Sequence, residues 1–87
     1  MTPTEQEIEA TILALVEERG PDKSVCPSEA ARALAPVWQP LMGPVRRVAI
    51  GLAHAGRIHI LRKGKPVDPA ETRGVIRLRL RPPEVPS

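Results

Sequence analysis

Adjacent arginines at Arg46 and Arg47, followed by Arg62, Lys63, Lys65, Arg73, Arg77, Arg79 and Arg81, are the residues of this chain best equipped for chemistry. Guanidinium groups bind phosphate and the guanine edge in a fixed two-pronged geometry, and arginine outnumbers lysine ten to three here. Pro44 is barred from a helix interior, so the helix carrying the pair is expected to start at about Gly43 or Pro44. It should run to Ala55, with Gly56 as a left-handed cap. Helical spacing turns Val45, Val48, Ala49 and Leu52 inward. Arg47, Ile50 and His54 then lie on the opposite side, with Arg46 at the flank. Cations near a helix N-terminus oppose its dipole by about 0.3–1 kcal/mol each. The pair therefore wants either DNA or an ion pair with an acidic neighbour. Ile50 is placed to touch a thymine methyl or to be a plain surface residue.

Further along, the basic residues fall on a loop and an alternating strand. Lys63 and Lys65 at the loop suit phosphate contacts. Arg73, Arg77 and Arg79, together with Arg81, suit either a groove or a solvated strand face whose charge blocks edge-to-edge association. Arg32 is expected to position a backbone or to pair with Glu29 or the first helix. Trp38 reads as a core plug whose N–H finds a carbonyl. With no Phe or Tyr and one Trp, the chain offers almost nothing on which to stack unpaired bases, so duplex DNA is the expected partner among nucleic acids.

Other chemistries find little support. Cys26 precedes a helix start and reads as a capping or packing residue. Cys26, His54 and His59 make no coherent zinc set. No phosphate-cradling glycine loop, dinucleotide fingerprint, zinc-protease pattern or nucleophile–base pair is present, so neither an enzyme nor a cofactor is expected.

Within 87 residues there is room for one domain and a modest core. The charge of +3 is unevenly distributed. Residues 1–20 hold five glutamates against one arginine, whereas residues 46–81 hold ten basic residues against Asp68 and Glu71. Such a dipole steers a molecule toward a polyanion. Glu5, Glu7 and Glu9 stand where a signal peptide needs positive charge, and no apolar run is long enough to cross a membrane. A cytoplasmic address is expected, and the single cysteine agrees with a reducing compartment.

The elements that must position these groups are legible from capping and periodicity. Thr2, Pro3 and Glu5 suggest a helix start, and Ile8, Ile12, Leu15 and Val16 give an apolar stripe that Gly20-Pro21 ends. Lys23-Ser24-Val25 allows a small strand. Cys26-Pro27-Ser28-Glu29 opens a second helix in which Ala30, Ala31 and Leu34 permit close helix approach, and Pro36 closes it. After the third helix the period drops to two. Ile58 to Arg62 and Val75 to Arg81 read as strands joined by a loop over 63–74, and Pro82 to Ser87 as an extended tail. The fold class expected is α+β: a winged helix-turn-helix domain over residues 1–81, three helices followed by a two-stranded antiparallel wing.

The run Cys26-Pro27-Ser28-Glu29-Ala30-Ala31-Arg32-Ala33-Leu34, then Trp38, Leu41-Met42, Val45-Arg46, Ala49, Leu52 and Ala55-Gly56-Arg57-Ile58, resembles a short bacterial family of uncharacterised winged-helix-like proteins. The likeness continues through Lys63-Gly64, Val67-Asp68-Pro69 and Gly74-Val75-Ile76-Arg77. It implies a winged-helix-like fold and no particular activity.

Two functions follow as expectations. One is duplex-DNA binding, with the third helix in the major groove and Lys63 and Lys65 on the backbone. The other is protein interaction, in which the basic face docks an acidic partner or the chain forms a homodimer. They part on whether the cations converge on one surface.

Overall fold

A computed structural model describes residues 2–70 and 72–81. Three α-helices pack on one face of a four-stranded antiparallel sheet. The helices are α1 (Glu5–Arg19), α2 (Pro27–Leu34) and α3 (Met42–His54). The strands are β1 (Ser24–Val25), β2 (Ile58–Arg62), β3 (Lys65–Pro66) and β4 (Arg77–Leu80), in sheet order β1-β4-β2-β3. The expected tail over 82–87 lies outside the described residues.

The first helix starts two residues later than its first capping pattern suggests. Thr2 and Glu5 have the right spacing, but so do Thr4 and Glu7, and the second pair forms the box. The Glu7 N–H donates to Thr4 Oγ1 over 3.1 Å, and the Thr4 N–H donates to Glu7 Oε1 over 3.5 Å. This choice puts Pro3 and Ile8 at the two positions of a hydrophobic staple. Ile8, Ile12 and Val16, spaced by four, are then buried on one face. In α2, Pro27 occupies the first helical position and Glu29 Oε2 accepts from the Cys26 N–H over 2.7 Å.

The third helix begins at Met42 rather than at Gly43 or Pro44, because a 3₁₀ turn over Gln39–Leu41 leads straight into it. Pro44 is tolerated there, since the first-turn amides have no intrahelical acceptor to lose. Gly56 follows with φ +76°, the expected left-handed position.

The sheet differs most from expectation: it has four strands, not two. Ser24–Val25 pairs with β4, in the register Ser24 opposite Arg79 and Val25 opposite Leu78. Part of the presumed loop is itself paired, since Lys65 and Pro66 lie opposite Arg62 and Leu61. Between them Lys63 and Gly64, at φ +53° and +80°, make the two-residue turn whose twist matches a hairpin. At the other end, Val75 stands outside β4 and is 84% exposed.

Alternation divides the sheet into two faces. Val25, Ile58, Ile60, Ile76 and Leu78 join the core formed with Ile8, Ile12, Val16, Ala30, Ala31, Leu41, Val45, Ala49 and Leu52. Ser24, His59, Leu61, Arg77 and Arg79 occupy the face turned away from the helices, as their pairing register requires.

Candidate nucleic-acid interface

Arg46, in the second turn of α3, does not project freely. Its guanidinium donates to the backbone carbonyl of Gly74 over 3.1 Å and to that of Thr72. Two carbonyls flanking one residue are well matched by a planar donor fork. The consequence falls on Arg73 between them: an exposed cation on a long loop is held beside the start of α3.

Arg47 is exposed on the outward side of α3. It lines a cleft between α1 and α3 with Glu5, Glu9, Val48, Gly51 and Arg57, yet forms no ion pair among the described residues. His54 is exposed about two turns further on, and Arg57 continues the basic run just beyond the helix. Ile50 departs from its expected outward position. It is half-buried and packs against the core, because its flank of α3 is covered. Gly43 and Gly51 keep the outward side low, and a Cβ on either would meet nothing within 4 Å.

Lys63 and Lys65 are exposed at the β2–β3 hairpin, Lys63 on the turn itself. Arg77 and Arg79 belong elsewhere. They lie on the outer sheet face, with the sheet between them and α3. Arg77 also has internal work, donating from Nε to Ser24 Oγ over 2.6 Å and from Nη2 to the Ser24 carbonyl over 3.0 Å. The sequence-predicted set therefore divides. Arg46, Arg47, His54 and Arg73 gather at α3, Lys63 and Lys65 stand at the hairpin, and Arg77 and Arg79 face the other way.

Two internal roles had no signal in the sequence. Ser24 receives both Arg77 and Arg19, whose Nη1 donates to the same carbonyl over 3.1 Å, across separations no local pattern reveals. Arg19 also pairs with Glu29 at 2.7 Å, so Arg32 is not the partner of Glu29. Arg32 instead lays its guanidinium over the Trp38 ring, 4.7 Å from the centroid. Trp38 is half-buried against the core rather than sealed within it.

The electrostatics follow these contacts. The Cys26 N–H, and then Arg19, hold the Glu29 carboxyl below its ordinary value. On the outer sheet face, burial and the charges of Arg79 and Arg81 hold the His59 imidazole below its own. None of Arg46, Arg47, Arg62, Lys63, Lys65, Arg73, Arg77 or Arg79 pairs with a carboxylate among the described residues. No helix among those residues is long and apolar enough to cross a membrane.

These features define a small α+β domain of three helices on an antiparallel sheet, with cations on two of its faces. Residues 5–81 match the model of the family described as Protein of unknown function (DUF3253), and the chain belongs to that family. Comparison with curated proteins gives no match.

Proposed function

We propose that this is a winged helix-turn-helix protein that binds duplex DNA through α3 and the β2–β4 hairpin region. The element order supports the fold reading: helix, short strand, two helices joined through the 3₁₀ turn Gln39–Leu41, then strands of which the last pairs with the first. In such domains the helix after the turn enters the major groove and its N-terminal half meets base edges.

One observation carries the functional reading. The Arg46 fork ties the 72–74 backbone to α3, so exposed Arg73 joins exposed Arg47 in the neighbourhood of that helix, neither in an ion pair among the described residues. Gly43 and Gly51 beside them allow a phosphate backbone to approach closely. Arg47 and His54 face the groove in this reading, Arg73 contacts the flanking backbone, and Lys63 and Lys65 take phosphates at the hairpin. Arg46 acts as a positioning residue.

Anisotropy titrations of a labelled random duplex against salt test it. Neutralising about four to six phosphates gives a log–log slope of about −4 to −5. Arg47→Glu with Arg73→Glu removes binding while preserving the fold. Salt-insensitive binding, or none, rejects the proposal.

A further inference from the structure

The outer sheet face holds a second cationic site, which shares only Lys63 with the surface proposed for DNA. A cleft there is lined by Ser24, Leu61, Arg62, Lys63, Gly64, Val75 and Arg77. Leu61 is 5% exposed but stands apart from the main core, and beside it Val75 is 84% exposed. The cleft thus has an apolar floor and three cations on its rim, and none of the three meets a carboxylate among the described residues. A nucleic acid suits it poorly. Phosphates gain nothing from leucine and valine, and no aromatic ring is present on which a base could stack. An acidic surface with small apolar residues at its centre fits both properties.

This chain supplies such a surface. On the solvent side of α1, Glu7, Ala10, Ala14 and Glu17 follow at intervals of three and four, with Glu18 beside Glu17, all exposed. Alanines at the middle of that row let a partner approach closely, and glutamates bracket them. The same molecule cannot use it, because Ile8, Ile12 and Val16 fasten α1 to the opposite face of the sheet. A second copy can. Arg19 of α1 and Arg77 of the cleft both donate to the Ser24 carbonyl, so acidic row and cleft meet around the β1 edge. Adjacent complementary patches allow a two-fold contact in which each copy gives and receives. We propose that the outer sheet cleft docks α1 of a second copy, forming a homodimer that leaves α3 exposed.

Sedimentation velocity of the full chain, free of nucleic acid, tests this at about 20 mM and about 500 mM salt. The expected result is a dimer at low salt that dissociates at high salt. Arg62→Glu, a cleft residue outside the proposed DNA surface, and separately Glu17→Lys with Glu18→Lys, each weaken association by about 10-fold or more. Mixing the two variants restores it, because both contacts regain opposite charges. Val75→Asp, at a site with no structural load, also dissociates the dimer. A chain that stays monomeric up to about 1 mM overturns the proposal. So does a dimer that neither charge reversal affects, or duplex DNA shifting the Leu61 and Val75 methyl resonances of a monomeric chain. Because DNA binding is scored separately by anisotropy, either proposal can fail without the other.

Discussion

The Arg46 guanidinium lies 3.1 Å from the Gly74 carbonyl oxygen, a bond that joins α3 to a loop twenty-eight residues away. With the companion bond to Thr72 it is the side-chain tether seen between α3 and that loop among the described residues. Hydrogen bonds from a charged donor contribute about 1.5–3 kcal/mol when desolvated, and this site is only half-buried. Arg46→Ala should therefore lower stability by about 1–2 kcal/mol in urea denaturation, with faster amide exchange around Thr72 to Gly74. Arg46→Lys should rescue little, since an ammonium cannot span both carbonyls. Unchanged exchange in the loop would show that the tether is dispensable.

Two glycines near the end of α3 should respond in opposite ways. Gly51 lies within the helix with open space around a Cβ, so Gly51→Ala should stabilise the domain by about 0.5–1 kcal/mol. If α3 meets DNA there, the same change should weaken duplex binding. Gly56 has φ +76°, and Gly56→Ala should destabilise by about 1–2 kcal/mol. Thermal melts of both variants check the pair.

Trp38 is the chain's single Phe, Tyr or Trp residue, and its ring lies under the Arg32 guanidinium. A guanidinium over an indole at this exposure contributes about 0.5–1 kcal/mol. Arg32→Ala should lower stability by about that amount and shift the tryptophan emission of the folded state. An unaltered emission spectrum would argue against the stacked arrangement.

Acid should weaken the fold in two stages. His59 titrates below its ordinary 6.5 in the folded state, so the fold prefers its neutral form. That stability is present above pH 6.5 and declines as the pH falls below it, where the unfolded chain takes up the proton first. Glu29 is held below 4.5, so its contribution is complete above that pH and is lost as the pH falls further. Urea midpoints measured from about pH 7.5 to about pH 3 should show both declines. His59→Gln should flatten the upper one and Glu29→Gln the lower.

Local rules carried most of the secondary structure. The α1 stripe, the Pro27 helix start, the Gly56 stop and the alternation of Ile76, Leu78 and Leu80 each depend on neighbours within a turn or two, so they were legible in the residues alone. The charge asymmetry was legible for the same reason. Where two local patterns competed, as with Thr2 and Thr4, both had the spacing of a capping box, and the structure forms the one between Thr4 and Glu7. The Lys63-Gly64 turn leaves little trace in the sequence, because the strand after it, Lys65-Pro66, is two residues long and carries no alternation to read.

Which cations share a surface was decided by tertiary structure. Arginine is compatible with solvent, with a carbonyl and with an aromatic face, so its type and spacing leave the partner open. The fold resolved this by bringing distant backbone into reach: Thr72 and Gly74 to Arg46, Ser24 to Arg19 and Arg77, the Trp38 ring to Arg32. By itself the sequence determined three helices, an alternating basic strand and an acidic first helix, because each follows from short-range periodicity. Only the packing of the Ile76 and Leu78 face against the helices, with β1 paired to β4, put Arg77 and Arg79 on the side away from α3 and parted one basic set into two surfaces. Strand pairing is a contact between segments far apart in the chain, and no local pattern encodes it.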